Sequence, residues 1–216
     1  MYKRQGPSFH GGLDLLNLSG PGMCDGLNRM ENRAKLTAEI AESIALAAAN
    51  RVSQVIVFSG NRNGQDTREG FRNCRQALCE LAPAASRAGV TLLFEMLNSI
   101  DHKDYQADHS AFGFELAQEV NSPAFRVLYD VYHMHRMGQD VRNDILTNLP
   151  WIGHIHVAGA PKRDDPGDGQ EIDYRTIVAA THRAGYRGFW GMEFLPGPGG
   201  IDELTGSIAR FQNYAV

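Results

Sequence analysis

Cysteine is scarce: the chain holds Cys24, Cys74 and Cys79, an odd number with no CxxC spacing. That excludes a disulfide framework and a structural zinc ribbon, and makes a reducing compartment the default. Long apolar runs are missing as well. No stretch approaches the ~18 residues that a membrane-spanning helix requires, and the mean hydropathy is −0.33. Nor is there an excess of positive charge. Lys and Arg number 21 against 25 Asp and Glu, a net −4, so no basic field exists to neutralise a phosphate backbone, and nucleic acid is excluded as a partner. No GxGxxG or Walker-type loop follows any apolar run, which removes the main support for a Rossmann nucleotide site. The first residues show neither the apolar core of a signal peptide nor a transit-peptide pattern, leaving the cytoplasm as the expected location.

What is present is an alternation of two periodicities. Residues 13–18, 54–58, 90–96, 126–129, 153–157 and 189–194 read as strands, and 28–50, 67–88, 110–121, 140–148, 174–184 and 201–214 as helices. Strict βα order requires crossover connections and predicts a parallel sheet covered by helices. The run VTLLFEML is apolar nearly throughout, as a strand buried on both faces must be. No linker or shift in composition divides the 216 residues, so residues 1–216 are expected to form one α/β domain, within the size range of a single barrel.

Polar residues gather after each strand, at the sheet edge where α/β folds place ligands. Four of them stand out: Glu95, Asp130, His156 and Glu193, spaced 35, 26 and 37 residues apart, about one βα unit each. They close the apolar runs LLFE, RVLYD, GHIH and WGME, where a structural protein would carry Val or Ile. A lone strand-end carboxylate is usually a loop cap or an ion-pair partner; four on consecutive strands point to one site. Three carboxylates and an imidazole form a hard donor set suited to Mg²⁺ or Mn²⁺, with Zn²⁺ or Co²⁺ also acceptable. His133, three residues past Asp130, would face the same mouth as a hydrogen-bond donor to substrate. Arg163, in the polar loop after His156, would clamp a carboxylate through two parallel hydrogen bonds. Asn98, His102 and Lys103 fall in the loop after Glu95 and read as a solvated lid. Cys74 and Cys79 have no neighbouring base and read as ordinary helix residues.

The motifs YDVYHMHRM, GHIHVAGAPKRDDPGDGQEIDY and GFWGMEF, preceded by LLFEMLN, resemble the hydroxypyruvate isomerase family of the xylose isomerase-like barrels. The resemblance runs from about Asp14 onward and is densest from Val90 to Pro196. It implies a (β/α)8 TIM barrel, a small-molecule substrate, and two catalytic glutamates, Glu95 and Glu193, flanking a substrate that chelates a divalent cation. On the same basis Asp130 matches the aspartate metal ligand, and His133 and Arg163 the substrate-binding side chains. His156 departs from part of that family. Hydroxypyruvate isomerases can carry Gln there, whereas ketose 3-epimerase relatives use His.

Six strand units are fewer than eight, and the first corresponds to about the third of the family, so one to two βα units are expected to be missing. Residues 1–5, Met-Tyr-Lys-Arg-Gln, read like translated library-adaptor sequence, which leads to the expectation that the reading frame continues upstream. Open sheet edges would favour self-association, and a homo-oligomer stays open. The expected reaction is aldose–ketose isomerisation of hydroxypyruvate to tartronate semialdehyde, or of a related small sugar or keto acid. Ketose 3-epimerisation and inosose dehydration are its rivals on the same scaffold, and a non-catalytic binding role or an inactive fragment is the alternative outside enzymology. A DNA-repair endonuclease on this scaffold is disfavoured by charge and by too few ligands for a multi-zinc cluster.

Overall fold

A computed structural model describes residues 17–215. Six parallel strands lie in sequence order: β1 (Asn17–Ser19), β2 (Gln54–Phe58), β3 (Thr91–Glu95), β4 (Phe125–Asp130), β5 (Ile152–Val157) and β6 (Trp190–Met192). Helices α1 (Arg33–Ala49), α2 (Thr67–Ala88), α3 (Ser110–Val120), α4 (Val131–Arg136), α5 (Val141–Asn148), α6 (Tyr174–Arg183) and α7 (Gly200–Tyr214) complete the described elements. The parallel sheet with intervening helices is what the βα alternation predicts, and six strands in sequence order fit the partial (β/α)8 barrel that the resemblance implies. Residues 13–16 of the first expected strand, like the adaptor-like residues 1–5, lie outside the described residues.

The helix boundaries follow local chemistry. The Asp66 carboxylate accepts the Glu69 N–H at 3.0 Å and opens α2, and Gly89, at φ +68°, closes it in a left-handed turn. Asp140 and Asp173 cap α5 and α6 in the same way. In α1, Leu36, Ile40, Ile44 and Ala47 are buried; their spacing of four, four and three puts them on one stripe facing the sheet. Cys74 is buried in α2 and Cys79 is exposed on it, both as free thiols.

Period two along the strands separates the two faces of the sheet. Val55, Val57, Leu92, Phe94, Val127, Tyr129, Ile155 and Val157 join the large core beneath the helices. Ile56, Phe58, Leu93 and Leu128 form a separate apolar cluster on the other, inward face. Two residues beyond Leu93 comes Glu95, and two beyond Leu128 comes Asp130. Strand parity therefore aims both carboxylates inward. The register then aligns Asp130 with His156 and His156 with Gly191, and the Glu193 N–H extends the ladder by donating to the Val157 carbonyl at 3.0 Å.

One departure from the expected pattern lies after β4. Val131–Arg136, part of a polar stretch after a strand to which the sequence assigns no helix, forms the short helix α4. Its signal is the Asp130 carboxylate, which accepts the His133 N–H at 3.0 Å as an N-cap.

At the mouth, the segment around Leu27 crosses over the end of β2, where the Asn28 N–H donates to the Ser59 carbonyl at 2.9 Å. The crossing rests on two glycines: a Cβ on Gly60, at φ +88°, would lie 2.2 Å from the Gly26 nitrogen. Gly64, at φ +77°, has nothing within 4 Å of such a Cβ. Gly60→Ala is therefore expected to cost about 3 kcal/mol or more in urea melts, and Gly64→Ala only about 1 kcal/mol from its backbone angle.

Candidate metal centre

Four strands deliver one ligand atom each from Glu95, Asp130, His156 and Glu193, all within 4.8 Å of one another. Glu95 and Asp130 are 1% exposed and His156 is 0% exposed, while the Glu193 side chain keeps 15%. His156 Nδ1 lies 2.7 Å from Glu193 Oε2 and 3.3 Å from Glu95 Oε1. Arg163 reaches in from the loop after β5, with Nη2 3.5 Å from Glu193 Oε2.

The charge balance of this cluster fits a cation. Three carboxylates meet one guanidinium among the described residues, so the group stays net negative even with a protonated imidazole. Burying such a charge is expensive unless it is paired or coordinated. Asp130 divides its two oxygens between tasks. Oδ1 caps α4, and Oδ2 is buried with no hydrogen-bond partner among the described residues. An orphaned carboxylate oxygen beside three further donors is what a hard divalent ion would satisfy.

His133 stands next to this cluster, fully buried. Its Nδ1 accepts the Asn98 backbone N–H at 3.2 Å and lies 2.6 Å from the Asn98 side-chain amide nitrogen. A backbone N–H only donates, so Nδ1 carries no proton and the neutral ring places its proton on Nε2. Burial pushes the His133 pKa down to about 4, against the opposing pull of Asp130, so the ring is neutral at pH 7. Nε2 has no hydrogen-bond partner among the described residues and lies 3.8 Å from Asp130 Oδ2. It is a free donor at the edge of the metal cluster.

The wall on this side continues through Tyr132. Its ring packs edge-on against His133, with centroids 5.3 Å apart, and carries the Arg163 guanidinium 5.6 Å from its centroid. The Tyr132 hydroxyl donates to Asp101 at 2.7 Å. Arg163 itself adopts φ +58°, and its carbonyl accepts the Leu195 N–H at 2.7 Å, tying its loop to the segment that carries Glu193.

All six residues singled out from sequence thus meet at one mouth. Sequence reasoning missed His154, which is fully buried two residues before His156 and on the same face, the rings 5.0 Å apart. Neither of its ring nitrogens has a hydrogen-bond partner among the described residues, and the same holds for both amide atoms of Asn17 and for Gln54 Oε1. Asn17 and Gln54 pair across β1 and β2 at the opposite end of those strands from the mouth. Period-two parity with His156 was the available signal. Tyr132 and Asp101 were also missed, since an aromatic–carboxylate contact between a short helix and a distant loop leaves no spacing to read.

Comparison with known proteins agrees with this architecture. The family model described as "Xylose isomerase-like TIM barrel" matches residues 12–210. A 2-oxo-tetronate isomerase of Cupriavidus necator is 33% identical over 118 residues, covering 55% of this chain and 45% of the relative. The hydroxypyruvate isomerase of Escherichia coli is 30% identical over 107 residues, covering 50% and 41%. The chain thus matches less than half the length of either relative. Among solved structures, one described as an AP endonuclease, family 2, from Brucella melitensis superposes with a TM-score of 0.81 at 24% identity, over 92% of this chain and 78% of that one. That likeness speaks for the fold alone. No helix among the described residues is long and apolar enough to cross a membrane.

A divalent cation at this cluster is expected to raise the thermal midpoint of the chain. Titrating Mn²⁺ by calorimetry should give one site, weakened by at least about tenfold in Glu95→Gln, and EDTA should reverse the thermal shift.

Proposed function

The chain belongs to the xylose isomerase-like TIM barrel family, and from that premise we propose that it is a metal-dependent isomerase of a short keto acid or sugar. Hydroxypyruvate, converted to tartronate semialdehyde, is the substrate we assign first. One observation carries the reading: Glu95 and Glu193 both contact His156 Nδ1, at 3.3 and 2.7 Å, beside the Arg163 guanidinium. Two carboxylates at one sheet edge are what moving a proton between adjacent carbons requires. The names of the two isomerase relatives add support.

In this reading Glu95, Asp130, His156 and Glu193 would hold the cation, with Mg²⁺ or Mn²⁺ favoured by three oxygen donors. The ion supplies positive charge that stabilises the negative charge developing on two adjacent substrate oxygens. The remaining steps belong to the protein. One glutamate removes a proton from C3 of hydroxypyruvate, and the C3–H electron pair moves into a C2–C3 double bond, giving an enediolate. The other glutamate, or the same one, returns a proton to C2 as the C3 oxygen becomes the aldehyde. The C3 hydroxyl proton passes to the C2 oxygen, so no redox cofactor is needed. His133 Nε2–H is placed to donate to a substrate oxygen, and Arg163 to hold the carboxylate.

A second reading is favoured by His156 itself. Ketose 3-epimerases resemble this chain at that position more than hydroxypyruvate isomerases carrying Gln do. An epimerase would invert C3 of a ketose without moving the carbonyl, so product analysis separates the two.

Glu193→Gln is expected to lower kcat by roughly 10²–10⁴-fold while leaving circular dichroism and thermal midpoint close to those of the parent chain. A folded Glu193→Gln protein with undiminished turnover would remove Glu193 from the mechanism.

A further inference from the structure

The loop that follows β3 presents one side chain to the mouth that the reaction above does not use. Asn98 builds this loop: its side-chain oxygen accepts the N–H groups of Ile100 at 3.1 Å and Asp101 at 2.7 Å. His102 is fixed at two backbone points, donating its N–H to the Asn98 carbonyl and accepting the Tyr105 N–H, both at 3.1 Å. Tyr105 is fully buried, so the turn is anchored in the core. The His102 ring stands edge-on to His133, centroids 5.3 Å apart, and makes no hydrogen bond of its own among the described residues.

His133 thus meets both His102 and Tyr132 edge-on, and Arg163 lies over the Tyr132 ring. These groups are donors or cations, whereas the floor of the mouth is a cluster of carboxylates. A substrate that brings its own negative charge needs hydrogen-bond donors away from that floor. Arg163 is partly committed to Glu193 at 3.5 Å, which leaves room for a second donor. Asp101, the nearest acid on the loop, is already tied to Tyr132 and Asn98.

We propose that His102 is a specificity-determining residue of this site, pairing with Arg163 to hold the carboxylate of a short keto acid and so favouring it over a neutral ketose of equal length. The proposal rests on the isomerase reading for its substrate class. Burial and the nearby charge of Arg163 both push the His102 pKa below the ordinary histidine value, consistent with a neutral imidazole donating one N–H at pH 7.

The test is calorimetric titration of the Mg²⁺-loaded chain with glycerate, a three-carbon acid that lacks the reacting carbonyl, and with dihydroxyacetone, a neutral ketose of equal length. His102→Ala should weaken glycerate binding about tenfold and leave dihydroxyacetone and Mg²⁺ affinities unchanged. His102→Asn, which keeps an N–H donor, should restore most of the loss, and Lys103→Ala, exposed on the same loop, should match the parent. With hydroxypyruvate as substrate, His102→Ala should raise KM by a similar factor and change kcat less than twofold. Equal losses for glycerate and dihydroxyacetone, an unchanged glycerate affinity, or no glycerate binding by the parent chain would each overturn the proposal. Glycerate binding that depends on His102 in a chain that turns over no keto acid would uphold it and overturn the isomerase reading instead.

Discussion

Three carboxylates buried at one end of a parallel sheet are the constraint around which this molecule is organised. Such a charge is costly unless it is paired or coordinated, and the fold gathers the three donors within reach of one cation. Strand parity sends Glu95 and Asp130 inward, the register sets Asp130 level with His156, and the ladder extends one residue past β6 to bring in Glu193. Everything nearer solvent is arranged around that group. α4 is capped by the same Asp130 that faces the cluster, and its first turn carries both Tyr132 and His133 to the mouth.

Charge is divided between two parts of this arrangement. The floor is anionic and suited to a cation; the rim, built from His133, Arg163 and the loop carrying His102, offers donors. The His133 tautomer is set from outside the site, by the Asn98 backbone N–H, which leaves Nε2–H facing the cluster. The Arg163 loop is held by its hydrogen bond to Leu195, so the guanidinium and Glu193 are positioned together. Charge separation between floor and rim matches a small molecule that chelates metal at one end and carries an anion at the other.

Much of this was legible in the sequence because it depends on period and spacing. The strand runs ending in LLFE, RVLYD, GHIH and WGME located the four donors, since an ionisable residue closing an apolar run on consecutive βα units has few structural explanations. The extent of α2, Thr67–Ala88, followed from an Asp cap and a closing glycine. α4 was not legible: six residues are too few for a periodic signal, and Asp130 already had an explanation as a ligand. His154 went unread because it sits one inward position below His156, where a buried residue touches no loop and shows no pattern beyond parity. The contacts of Tyr132 in α4 with Asp101 and Arg163 join the helix to loops far apart in the chain, and only tertiary structure reveals them.

The account stands on proton transfer by two glutamates at a metal site, and NMR of the reaction in D₂O reads that step directly. Hydroxypyruvate would be incubated with the Mg²⁺-loaded chain, with and without EDTA. The expected result is metal-dependent isomerisation with deuterium on the carbon that receives the returned proton. Turnover that survives chelation, or no isomerised product from the Mg²⁺-loaded chain, would contradict it.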